Sequence, residues 1–183
     1  MGHGKSSGER VQIDSIHQLV DHVLHHIRLQ KEQHDLPVFA VGHSMGGMIA
    51  LAAAIRDAEL LNGVVLAGPS IHLDPGLATP FRMWLARTVS WIAPHLPVAR
   101  LDHKSETRDA QVLERRKEDP LIHRGGVKAR TAVAILDMLV EINQMLFEMS
   151  VPFLVLHGAD DRICYPGGSQ HLYDNAGPTF LSC

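Results

Sequence analysis

The 183-residue chain has two cysteines, Cys164 and Cys183, too few for a disulfide framework; a reducing, cytoplasmic compartment is expected. It has no uncharged apolar run of the length needed to span a bilayer, so a transmembrane helix is excluded. It has no excess of one charge: a formal net charge of −3 leaves no electrostatic footprint for nucleic acid. Aromatic residues make up only 5%, but 45% hydrophobic and 20% charged residues are ordinary for a globular protein and exclude a disordered one. No charged segment leads into an apolar run at the start, so a secretory signal is not expected. Gly4-Lys5-Ser6 resembles the end of a phosphate-binding loop, yet the glycine five residues before the lysine and the preceding strand are both missing. Met1-Gly2 through Ser6 fits a loose N-myristoylation pattern that is often met by chance.

What is present is an alternation of strands and helices. Ile16, Leu19, Val20, Val23, Leu24 and Ile27 follow helical spacing, with Ser15 and Gln18 as a capping box. Three short apolar runs read as strands buried on both faces: Leu36–Val41, Gly63–Ala67 and Val151–Leu156. Met48–Ile55, between the first two, reads as a helix. Strand, helix and strand with short links imply parallel pairing, hence an α/β fold. A long insertion, residues 70–148, separates the last two strands and reads as a helical cap within one domain over 1–183. Its Phe81–Ala93 helix is apolar on more than one side, and Val127–Phe147 reads as a long helix. Between them, Arg100–Asp119 carries 12 charged residues in 20 and reads as a solvated surface.

Gly42-His43-Ser44-Met45-Gly46 fits G-x-S-x-G, directly after a strand and before a helix. A serine on so sharp a turn takes strained backbone angles, with flanking glycines making room for neighbouring backbone. The turn lifts the Ser44 hydroxyl above the sheet, where the Met45 amide can donate to a developing oxyanion. A nucleophilic serine needs a base, and the base an orienting carboxylate on the loop after a later strand. Asp160 and Asp161 both stand there, and spacing leaves the choice open. His22, His25 and His26 share one helix face, but no nearby cysteine or carboxylate pair completes a metal site, and a solvated face is expected.

Together these elements resemble the monoglyceride lipases of the α/β-hydrolase superfamily, in the branch with serine aminopeptidase-like hydrolases. The resemblance is carried by Gly2-His3-Gly4-Lys5-Ser6-Ser7-Gly8-Glu9-Arg10, Leu36-Pro37-Val38-Phe39 with the Ser44 elbow, Asp119-Pro120-Leu121-Ile122, and Val151 to Gly158 with Asp161-Arg162-Ile163-Cys164. It implies a partial α/β-hydrolase fold, Ser44 as nucleophile, Asp161 as triad acid, Met45 as oxyanion donor and Cys164 as a thiol near the site. Trp84, Leu85 and Ile92 would line an acyl site on the cap, which would also rest peripherally on membranes. The implied reaction releases fatty acid and glycerol from a monoacylglycerol and needs no metal or organic cofactor. The family's oxyanion loop precedes the segments matched here and its histidine follows one more strand, whereas Asn175–Cys183 matches neither. The expectation is therefore a chain lacking both ends and the catalytic histidine, with His3, His43, His157 and His171 not replacing it. A lysophospholipase or other acyl esterase, or a non-catalytic lipid- or partner-binding remnant, is the alternative reading.

Overall fold

A computed structural model describes residues 2–72, 79–99, 107 and 109–177. Helices are α1 (Ile16–Gln33), α2 (Met45–Arg56), α3 (Pro80–Ile92), α4 (Ala110–Glu118), α5 (Ala129–Met145) and α6 (Gly167–Asn175); strands are β1 (Phe39–His43), β2 (Gly63–Ala67), β3 (Pro97–Ala99), β4 (Val127–Lys128) and β5 (Phe153–Leu156). The chain divides into two compact units, Met1–Ser15 with Pro75–Leu136, and Ile16–Asp74 with Asp137–Cys183.

The second unit holds a parallel sheet in the order β1-β2-β5. Side chains alternate across a strand, so Val64 and Leu66 of central β2 share one face, where both are buried. Helix α2 packs on β1 and β2, and α1 packs on α2. Gly47 through Ile55 are consequently all buried. The expected stripe on α1 is present, with Ile16, Val20, Leu24 and Ile27 buried and His22, His25 and His26 exposed on the solvent side. Ion pairs Arg28–Asp57 and Arg56–Asp21, each at 2.7 Å, fasten α1 to the end of α2.

One strand expectation is corrected. The outer strands are not buried on both faces: Phe39 and Val41 on β1 are 63% and 76% exposed, and Leu154 and Leu156 on β5 are 53% and 54% exposed. These residues share the face opposite α2, because Val41 pairs with Val65 and Val65 with Leu154 in register.

In the first unit, Thr131 is buried and acts as a staple, donating to Val11 O and accepting from the Ile13 amide, both at 3.0 Å. Glu9 accepts from Lys128 at 2.6 Å and stands 3.0 Å from His95. Lys128 chiefly, with His95, holds the Glu9 carboxyl below its ordinary range. The insertion is not purely helical, since β3 and β4 form a short antiparallel pair. Val127 and Lys128, expected to open the long helix, belong to that strand, and α5 starts only at Ala129. Helix α3 begins where expected, capped by Thr79 accepting from the Arg82 amide. It buries only Ser90, leaving Phe81, Trp84, Leu85, Trp91 and Ile92 exposed. Helix α4 buries nothing, as its charge density implies; residues 100–106 and 108 of that segment lie outside the described residues. Met1 and Cys183 also lie outside them, while Gly2 is buried and donates its amide to Ser7 O at 2.8 Å. Among the described residues no helix is long and apolar enough to cross a membrane.

Candidate active site

The turn from β1 into α2 places Ser44 at φ 53°, ψ −119°. A non-glycine residue at positive φ is uncommon, and the surrounding backbone holds this one in place. The Ser44 amide donates to Ala67 O at 3.1 Å, while its carbonyl accepts from the amides of Gly47, Met48 and Ser70 at 3.0–3.2 Å. The glycines have unequal tasks. A Cβ on Gly42 would stand 2.3 Å from Gly46 O, and one on Gly47 2.8 Å from the Pro69 Cβ, whereas one on Gly46 would meet nothing within 4 Å. The close approach that the elbow requires therefore falls on Gly42 and Gly47, although the motif names Gly42 and Gly46. Met45 opens α2, and an amide in a helix's first turn has no intrahelical acceptor.

The loop after β5 builds the other side of the site. Asp161 folds it on itself: Oδ1 accepts from the amides of Ile163 at 2.8 Å and Cys164 at 2.9 Å. Oδ2 faces Gly68, where an added Cβ would stand only 3.2 Å away. Gly68 adopts φ 48°, a second reason for glycine there. Asp160, the other candidate acid, is exposed beside it. Cys164 is buried, with Sγ 3.4 Å from Ser44 Oγ. Burial pushes its thiol pKa up, the Ser44 contact opposes this, and the Asp161 charge adds to the rise. Thus Ser44, Cys164 and Asp161 converge. Among the described residues the partner of the Ser44 hydroxyl is this thiol and not an imidazole.

Among the described residues no histidine hydrogen-bonds to Ser44 Oγ. His43 is exposed on β1, and His171 on α6 lies against His72 with ring centroids 5.3 Å apart. His157 is bonded to Ser169 on α6 and to the Cys164 carbonyl in the acid loop. His3, with Trp84, Leu85 and Ile92, belongs to the other unit, and those three residues of α3 are 60%, 44% and 69% exposed. Among the described residues no three histidine, cysteine or acidic side chains gather to hold a metal.

Two polar positions were not legible as parts of the site. Asn143 on α5 donates to Ile71 O at 2.7 Å and Leu139 O at 2.6 Å, and pairs with His72 at 3.2 Å. It thereby fastens the segment after β2, whose Ser70 amide holds the Ser44 carbonyl. Ser169 on α6 is buried against His157. Neither stands in a motif, and only tertiary folding brings them to these loops.

The sequence profile of the family described as serine aminopeptidase, S33, matches residues 1–181. The chain belongs to that family. This S33 chain is 34% identical over 177 residues to the monoglyceride lipase of Homo sapiens, a match covering 96% of the chain and 58% of the relative. It is 32% identical over 174 residues to the monoacylglycerol lipase of Mycolicibacterium smegmatis, covering 94% and 62%. The crystal structure of the Paleococcus ferrophilus monoacylglycerol lipase superposes with a TM-score of 0.81 at 28% identity, covering 96% of this chain and 66% of that one. The S33 chain therefore spans a little under two thirds of the length of each, and its fold is that of the α/β-hydrolases.

Proposed function

We propose that this chain carries the nucleophile and acid of a serine hydrolase of monoglyceride lipase type. The observation that carries the reading is the convergence of a strained Ser44 with Asp161 across Cys164, on the turn after β1 and the loop after β5. Ser44 Oγ attacks the ester carbonyl of a monoacylglycerol, giving up its proton to an imidazole that Asp161 orients. The Met45 amide stabilises the tetrahedral oxyanion, glycerol leaves, and water releases the fatty acid from the acyl-enzyme. Every step uses proton transfer and hydrogen bonding from side chains and backbone, and calls for no metal or organic cofactor.

Asp161 is assigned as the acid over Asp160 because its carboxylate is fixed by two backbone amides. The imidazole is assigned to none of the described residues, since the Ser44 hydroxyl has a thiol as its partner. On this reading the described residues supply no base to Ser44, and catalysis by them is slow. The names of the relatives support the substrate class, and the insertion is read as a cap. Exposed Phe81, Trp84, Leu85, Trp91 and Ile92 on α3 support acyl binding and peripheral contact with a lipid surface. The elbow does not encode the leaving group, so lysophospholipids and other acyl esters are the competing substrates.

Release of fatty acid from monooleoylglycerol, lysophosphatidylcholine and short acyl esters tests the reading. Turnover by the chain is low, rises when free imidazole is added, favours monooleoylglycerol and is lost in Ser44→Ala. Turnover that survives Ser44→Ala overturns the assignment, and a preference for lysophosphatidylcholine overturns the substrate class.

A further inference from the structure

The acid loop contains a buried histidine to which the acyl-transfer steps give no task. The side chain of His157, at the end of β5, is 7% exposed. Its Nε2 lies 3.1 Å from the Cys164 carbonyl and 3.4 Å from Asp161 Oδ2, while Nδ1 lies 2.6 Å from Ser169 Oγ. A carbonyl oxygen only accepts, so Nε2 must carry the proton. In the neutral ring Nδ1 is then the acceptor, and the Ser169 hydroxyl donates to it. Ser169 is itself buried, on α6. One imidazole thus joins α6 to the end of the loop at Cys164 and to the free side of the Asp161 carboxylate. Asp161 Oδ1 is already taken by the amides of Ile163 and Cys164. Oδ2, the oxygen left to orient a catalytic base, is the one that His157 and Gly68 bracket.

We propose that His157 is a positioning residue for this active site. Held in its Nε2–H tautomer by the Cys164 carbonyl and tied to α6 by Ser169, it pins the 158–164 loop so that Asp161 Oδ2 and the Cys164 thiol keep their places beside Ser44. Among the described residues the imidazole bonds to Ser169, Cys164 and Asp161 and not to Ser44, so it acts through Asp161 and Cys164. Its importance for catalysis rests on reading Asp161 as the acid; its pinning of the loop does not.

The Cys164 thiol reports on the loop without any turnover. In a Cys183→Ser background Cys164 is the single thiol, and iodoacetamide alkylates it slowly because it is buried. Replacing His157 by leucine fills similar space but removes donor and acceptor together. Alkylation then accelerates about tenfold or more, the factor set by losing a buried hydrogen bond. His157→Gln supplies an amide donor and a carbonyl acceptor on a side chain of similar reach, and alkylation returns to within about threefold of the parent. If His157 only fills space, leucine protects Cys164 as well as glutamine or better, and that order overturns the proposal.

The imidazole 15N spectrum of the unmutated chain supplies a readout that needs no variant to fold. The neutral His157 ring shows a single Nε2–H form, set by the Cys164 carbonyl, where the solvated histidines show a tautomer mixture. A mixture already present in the parent chain overturns the proposal equally. If the alkylation order holds while Asp161→Asn leaves imidazole-assisted modification of Ser44 unchanged, the pin stands and the assignment of Asp161 as acid fails.

Discussion

Two glycines of the serine motif look equivalent in the sequence, yet alanine at each should have opposite consequences. At Gly42 a Cβ would stand 2.3 Å from Gly46 O, 2.6 Å from Gly46 C and 2.7 Å from Gly47 Cα. Ordinary contact begins near 3.4 Å, so the closest overlap exceeds 1 Å, and every atom met is backbone. No rotamer change relieves it; β1 must move away from the first turn of α2. Overpacking of this kind costs about 1–3 kcal/mol. At Gly46 a Cβ meets nothing within 4 Å, and φ is not positive. The residue lies in the first turn of α2, where alanine restricts the unfolded chain and favours the helix by up to about 1 kcal/mol. The two variants should therefore differ by about 2 kcal/mol or more, with Gly42→Ala below the parent and Gly46→Ala equal to it or above. In a chain of this size that difference is roughly 4–8 °C in Tm. Urea titration followed by circular dichroism, with melts alongside, measures it. Equal loss at both positions, or a greater loss at Gly46, would refute the packing described for the elbow.

The thiol and the exposed helix give two further tests. Burial raises the folded-state pKa of Cys164, so its contribution to stability is complete below the unfolded thiol's value, about 8.5, and is lost as pH rises through the folded value. Urea midpoints of the parent should therefore fall more steeply above about pH 8.5 than those of Cys164→Ala, and parallel curves would show that the thiol is not desolvated. On α3, Trp84 and Trp91 are 60% and 85% exposed. Replacing both with serine should leave stability within about 1 kcal/mol while weakening sedimentation with phosphatidylcholine vesicles by roughly tenfold, the factor for about 1.4 kcal/mol of lost apolar contact. Unchanged vesicle binding would remove α3 as the lipid-facing element.

Local rules decided what was legible in the sequence. The stripe on α1 and the parallel pairing of β1 with β2 follow from periodicity and short links, because those constraints act within a few residues; the place of β5 beside β2, across the long insertion, was not read from the sequence. The Ser44 turn was equally legible, since strand, turn and helix are contiguous. Which glycine the turn needs was not, because Gly42 is crowded by backbone four residues ahead only after α2 has formed. Burial of β1 and β5 was overestimated for a related reason: an apolar run shows that a strand seeks cover but not which face receives it. Phe39, Val41, Leu154 and Leu156 are apolar and still exposed. Asn143, Ser169 and Gly68 reach the site only through tertiary folding, and nothing in their local spacing marks them. Spacing alone could not separate Asp160 from Asp161; the proposal of Asp161 rests on the amides of Ile163 and Cys164 at its Oδ1, which only the folded loop brings there.

The most direct test of the central claim is modification of Ser44 by a fluorophosphonate probe, quantified by intact mass. In the 183-residue chain, labelling should be slow, accelerate with added imidazole, map to Ser44 and vanish in Ser44→Ala. Rapid stoichiometric labelling without imidazole would contradict the proposal that no described residue serves Ser44 as base, and labelling that persists in Ser44→Ala would contradict the site itself.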